Sequence, residues 1–271
     1  EQQAKAYLAW GEADMERGHY RAAAGRFDGT ISLLSESHPL GDQAFQLREE
    51  AFELGTVTVA FLPLFVVEDG ENAPPGLPGG VEDALLFDYW SQPPLFINTV
   101  DAGLQRRILR GEGVGRIPPT LRLLSQIGDY MDTDLIVVSE LVNFTELEKD
   151  VKEERRTAKM EGGRRPVVQD TAYTAVEATL EMSAEVVFTV HDPHTRRIVD
   201  EGRVAWTVGG PIEYGTFAGN PSLLNLSSSN RDLFDDRALE DQRRIIEDLM
   251  ADELAAAFAD RVFGDVLRTI P

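Results

Sequence analysis

The chain has no cysteine, which excludes disulfide bridges and every metal site built on thiolates. Lysine occurs only at Lys5, Lys149, Lys152 and Lys159; the other basic residues are arginine. Basic charge is scarce altogether: 26 Lys and Arg stand against 47 Asp and Glu, a formal net charge of −21. Such a field repels phosphate backbones and anionic headgroups, so nucleic acid is excluded as a partner. An acid-rich, lysine-poor surface fits a protein kept soluble in high salt, or an arginine-biased genome with an ordinary acidic surface. No apolar run reaches the ~18–20 residues that a membrane helix requires. The chain opens at Glu1 without an initiator Met and turns helical almost at once, so it reads as a trimmed mature segment.

What is present begins with two helices over residues 2–36. The first passes through Ala4, Tyr7, Leu8, Trp10 and Gly11 and stops at Gly18, a good left-handed terminator. The second carries Tyr20, Ala23, Ala24, Phe27, Ile31 and Leu34 at i, i+3, i+4 and i+7 spacing. Gly11, Gly18, Tyr20, Ala23 and Phe27 resemble the small and aromatic packing positions of one tetratricopeptide unit, with Pro39 slightly late for that pattern. One repeat cannot bury its own face, so the hairpin reads as a helical cap on the main domain, or as the end of a longer peptide-binding array. A third helix, Asp42 to Leu54, completes a unit over residues 1–55.

From Gly55 the pattern changes. Strands are expected at 56–66 and 95–100, helices at 81–90, 102–110 (with Asp101 as N-cap) and after Pro118-Pro119-Thr120, and a further strand at 135–144. The strongest signal follows. Val176, Ala178, Leu180, Met182, Ala184, Val186, Phe188 and Val190 alternate with Glu177, Thr179, Glu181, Ser183 and Glu185, a half-buried strand. A charged hairpin arm at 145–170 precedes it, an irregular segment spans 209–236, and a C-terminal helix covers 237–268. The fold class is α/β (α+β): a mixed sheet with helices layered on it, a long β-hairpin and an N-terminal helical cap.

Val57-Thr-Val-Ala-Phe-Leu-Pro63, Phe96-Ile-Asn-Thr-Val-Asp101 with Gly103-Leu104-Gln105 and Leu109, Ile127-Gly128 with Asp134, Val137, Val138 and Glu140, and Asp192-Pro-His-Thr-Arg-Arg-Ile-Val199 resemble the motifs of the CsgG-like family of secretion, flagellar and penicillin-binding-protein-activator lipoproteins. Ser139 and Arg196 stand where that family tends to have glycine. The resemblance covers about residues 56–208 and implies the periplasmic part of an outer-membrane lipoprotein whose lipid anchor lay upstream; a cytoplasmic location is the alternative. It also implies protein partners in the cell envelope and a homo-oligomer or ring. The pore of that family does not carry over. Residues 145–165 are charged at more than half their positions, and one charge at the bilayer midplane costs about 2–4 kcal/mol.

Chemistry-bearing residues are few. His191, His194 and Asp200 could begin a metal site for a hydrolase, but Asp192-Pro193 is a turn-forming pair that explains the cluster without a ligand. Gly111-Glu-Gly-Val-Gly115 lacks the Lys-Ser/Thr of a phosphate loop, and no Gly-x-Ser-x-Gly elbow surrounds Ser227–Ser229. Acid pairs such as Glu153-Glu154 and Asp235-Asp236 read as solvated surface. No catalytic or cofactor-binding residue is assigned. The partner-interface candidates are Tyr214, Phe217, Leu223 and Leu224 in the segment read as irregular, and Trp10 and Tyr20 on the hairpin. The expected role is a non-catalytic envelope adaptor or assembly factor, with a metal-assisted hydrolase and a peptide-binding helical-repeat module as alternatives.

Overall fold

The computed structural model describes residues 1–35, 37–115, 117–162 and 167–269. Three helices open the chain: α1 (Gln2–Glu16), α2 (Tyr20–Leu34) and α3 (Pro39–Gly55). Gly18 takes φ +74 just past α1, the left-handed stop its position suggested. Helix α3 begins at Pro39, three residues before the expected start, because proline needs no N–H partner in a first turn.

Next come β1 (Val57–Asp69), α4 (Leu77–Ala84), β2 (Ile97–Thr99), α5 (Ala102–Gly111), α6 (Leu121–Met131) and β3 (Leu135–Gly162). Helix α4 starts earlier than its apolar pattern indicated, at Leu77-Pro78, and runs into a π-helical turn, Leu85–Tyr89. Asp101 caps α5 by accepting the Leu104 N–H at 2.8 Å. The chain then forms β4 (Val167–Asp192), β5 (Arg197–Thr216), the short β6 (Leu224–Asn225), α7 (Ser228–Asp232) and the 34-residue α8 (Asp236–Thr269).

The sheet is mixed, ordered β2-β1-β3-β4-β5, with β6 beside the far end of β3. Strands β2, β1 and β3 are parallel, whereas β3, β4 and β5 are successive antiparallel neighbours. Helices cover both faces of the parallel part. On one face α5 and α6 pack Leu109, Leu124, Ile127 and Met131 on Ala60, Leu62, Ile136 and Val138. On the other, α4, α8 and the N-terminal helices share one buried cluster with β1, β3, β4 and β5. Phe27 and Ala51 of the helical cap belong to that same cluster, as do Val59 and Phe258 of the main domain. The α/β class with helices on a sheet is therefore as the sequence suggested.

The antiparallel strands extend well past the parallel body. β3 alone has 28 residues, roughly 90 Å of strand at ~3.3 Å per residue. Two register shifts, between Leu141 and Asn143 and between Lys149 and Lys152, exchange the faces of β3 along its length. The charged arm continues β3 and β4, with pairing out to Gly162↔Val167. A larger correction concerns residues 209–236. Gly209 to Thr216 are regular strand, paired in unbroken register with Glu181 to Thr174. Glycine and proline suggested a loop there, but Gly210 is needed because Ile246 of α8 lies where its side chain would be. Residues after Thr216 leave the ladder with β4 and return to the sheet as β6. They fold over the far end of the hairpin, where Leu224 and Leu226 close a small cluster with Ala158, Tyr173 and Ala175.

One half-buried acid in the body gives a pH-dependent expectation. The Glu82 carboxylate accepts the Leu64 N–H at 2.9 Å, on the edge of β1 beyond the reach of β2. Burial, only partly offset by that hydrogen bond, holds its pKa above the ordinary 4.5. Since the folded state binds this proton more tightly than the unfolded chain, the carboxyl favours folding most in acid. That contribution is lost as pH rises from the unfolded value through the raised folded one. Glu82→Gln keeps an acceptor for Leu64, so it should melt higher than the parent at neutral pH. The advantage should disappear below pH 4.5. A melting difference independent of pH would refute this account.

Candidate docking surface on the sheet edge

The histidine cluster resolves into a turn. The Asp192 carboxylate accepts the N–H groups of His194 and Thr195, each at 2.9 Å, which closes the β4–β5 connection. Arg196 takes φ +57, the left-handed conformation that glycine provides more cheaply. His191 is buried beneath the turn with Nε2 against the Thr189 hydroxyl at 2.7 Å, and burial lowers its pKa. Asp200 faces Val190 in the ladder and accepts the Glu201 N–H at 2.8 Å. Among the described residues, no group of three His, Asp or Glu side chains could hold a metal ion.

The interface candidates disperse. Tyr214 is half-buried, donates its hydroxyl to Glu148 at 3.0 Å, and has its pKa raised by burial and by that carboxylate. Phe217 packs on the small far cluster and Leu224 is buried within it; Leu223 is exposed. Leu224 is thus part of a covering layer, not of an exposed patch. Trp10 is exposed, edge-on to Tyr7 and with the Arg26 guanidinium 5.5 Å from its ring centroid. Tyr20 is half-buried, its Cβ against Gly55 at the end of α3. These residues do not form one surface.

The feature with a defined shape is the free edge of β5. At position 213 both backbone groups turn away from β4: the N–H donates to Gln242 Oε1 at 2.7 Å, and the carbonyl accepts from Gln242 Nε2 at 3.3 Å. Backbone direction alternates along an antiparallel strand, and the β4–β5 register is unbroken from Asp200 to Thr216. Every odd residue of this stretch therefore points its backbone outward. Gly215 N–H donates to the Leu233 carbonyl, Pro211 has no N–H, and Glu201 N–H is held by Asp200. Between these stops lie Arg203, Ala205, Thr207 and Gly209, whose outward backbone groups have no backbone partner among the described residues.

The flank of this edge is apolar on the α8 side. A groove of about 530 Å³ runs between Gly209, Gly210 and Pro211 on β5 and Ile245, Ile246 and Leu249 on α8. Ile245 is 69% exposed, Leu249 42% and Trp206, on the same face of β5, 39%. The opposite face of β4 and β5 is polar and open, with ion pairs Lys149–Glu181 at 2.6 Å and Arg203–Glu185 at 3.0 Å.

No family model matches the chain, and no curated protein matches it. Solved structures that resemble it slightly include a lipoprotein and a hypothetical protein. Lipoprotein GNA1162 from Neisseria meningitidis is 7% identical, with 56% of this chain and 83% of that one covered and a TM-score of 0.33. The hypothetical protein CT253 from Chlamydia trachomatis is 13% identical, with 79% and 99% covered and a TM-score of 0.31. Likenesses this slight leave the assignment to the chain's own geometry.

Sequence reasoning missed the edge because Gly209-Gly210-Pro211 suggested a loop. The available signal was the alternation Val204, Trp206, Val208, Ile212 and Tyr214, which continues through those glycines with an unbroken period of two. The α8 contribution was visible as Ile245 and Leu249, two apolar positions off the buried stripe.

Proposed function

We propose that the chain is a non-catalytic protein adaptor of the bacterial cell envelope, which binds partner proteins on the extended β3–β4–β5 blade. The observation that carries this reading is the run of outward backbone groups on β5 beside an exposed apolar groove. Soluble proteins usually protect such an edge, because unpaired strand backbone and exposed apolar side chains invite another chain. Here both ends of the edge are protected and the middle is open. The motif resemblance to envelope lipoproteins supports a periplasmic setting, reached through a lipid upstream of Glu1. No helix among the described residues is long and apolar enough to cross a membrane.

Photo-crosslinking in the native host tests the reading. A crosslinking side chain at Trp206, at Leu249 or at Leu147 on the open face should each be compared with one at Leu121, exposed on α6. Discrete protein adducts from blade positions, absent at Leu121, are the expected result. Adducts from no blade position would overturn the adaptor role.

A further inference from the structure

We infer that residues 203–209 of β5 form a slot of fixed length for one extended peptide segment of a partner protein, apolar on alternate residues and carrying Lys or Arg at both ends. The inference rests on the adaptor reading and specifies its partner. Three observations define the slot. Its length is set by the stops: Asp200 takes the outward N–H at 201, and Pro211 has none to offer. Beyond Pro211, Gln242 and the Leu233 carbonyl occupy the edge. Complete outward pairs of N–H and carbonyl remain for an added strand only at Arg203, Ala205, Thr207 and Gly209, enough for about seven paired residues.

Its side preference follows from the two faces. Alternate side chains of an added strand would lie on the α8 side, beside Trp206 and the groove of Ile245 and Leu249. The intervening ones would lie beside Ala205 and the Arg203–Glu185 pair, next to solvent. An alternating apolar–polar segment matches both.

Its charge preference comes from the ends. Asp200 and Glu201 flank one end and Glu213 the other, while Arg203 within the slot is already paired with Glu185. Basic residues flanking the incoming strand would meet these carboxylates, and the net charge of −21 steers a basic segment toward the site. The same charges disfavour a second copy. Antiparallel self-pairing centred on the slot, with Arg203 opposite Gly209, sets Glu213 of each copy opposite Val199 and diagonal to Glu201 of the other on the same face. It also brings together two chains of charge −21.

The test uses the whole chain and a capped synthetic peptide of alternating Val and Thr with two lysines at each end, titrated calorimetrically at low ionic strength. The comparison peptides carry glutamates in place of the lysines, or proline at a central position. Ala205→Pro removes one outward N–H without touching the β4 ladder, as Pro211 already does naturally. Leu249→Glu places a charge in the groove without altering the backbone edge. The lysine peptide should bind the parent and lose at least about tenfold in affinity to either variant, with thermal melting of Ala205→Pro near that of the parent. The glutamate and proline peptides should bind correspondingly worse. Absence of binding to the parent, or binding unchanged in both variants, overturns the slot. A concentration-dependent dimer that Ala205→Pro abolishes, seen by sedimentation, would make a second copy the occupant and overturn the basic peptide. Crosslinks from Leu147 but not from Trp206 or Leu249 would sink the slot while leaving the adaptor reading standing; no blade crosslinks at all would remove both.

Discussion

Phe258→Ala should lower the unfolding free energy by about 3–5 kcal/mol, among the largest single losses expected in this chain. The side chain sits in the middle of α8, is 2% exposed, and meets Phe188 of β4 edge-on at 5.6 Å between ring centroids. Three contributions vanish together: the transfer of the ring from water, its contacts, and the favourable aromatic pair. Relaxation can recover little. Gly202 lies against the Phe188 ring, and buried Asp265 of α8, paired within the helix with Arg261 at 2.9 Å and with Arg268, stands beside the same glycine. Denaturant unfolding followed by circular dichroism would measure the change. A loss below about 1 kcal/mol would mean that α8 can repack, against the close contact seen at Gly202.

The second large effect concerns the helical cap. Phe27 is fully buried, and its ring occupies the space in which a Gly11 side chain would stand. Phe27→Ala should cost about 3–5 kcal/mol. Gly11→Ala should cost about 1–3 kcal/mol, because the ring must be displaced to admit one methyl group. The double variant should cost less than the sum, since the new methyl enters space the ring has vacated. Simple additivity in a double-mutant cycle would refute the direct lock between these residues. Because Phe27 shares one buried cluster with Val59 and Phe258, the cap and the sheet should also unfold in one transition for every variant in the cycle.

Period-two and period-3.6 patterns made most of this architecture legible. The Val176–Val190 alternation identified β4, and the apolar stripe of Ile246, Met250, Leu254, Phe258 and Val262 identified α8. Capping chemistry placed the start of α5 at Asp101. Legibility failed where one residue type serves two purposes. Gly210 admits Ile246 of α8 within a strand, and Pro211 removes an N–H from an edge where none is needed. Both are ordinary turn residues when no neighbour is known. The two register shifts in β3 hid its alternation in another way, because each exchanges the faces and no single period spans the strand. The alternation from Val204 to Tyr214 marks β5 as a strand, but not as an edge. Which side of β5 lacks a neighbour depends on the whole strand order and on where α8 crosses, not on residues 203–209 alone.

The tight Asp192–Arg197 turn sets an order of assembly for the chain. Pairs beside it, such as His191 with Ile198, join residues close in sequence, and each further β4–β5 pair lengthens the closed loop only slightly. The parallel part differs, since Thr58 and Asp134 meet across 76 residues with two layers of helix between them. Loop-closure entropy therefore favours early zipping of β4 on β5 outward from the turn, with β3 adding to the same ribbon. Strands β1 and β2 then dock onto an edge that already exists. The most local part of the sheet is also the part that carries the free edge of β5.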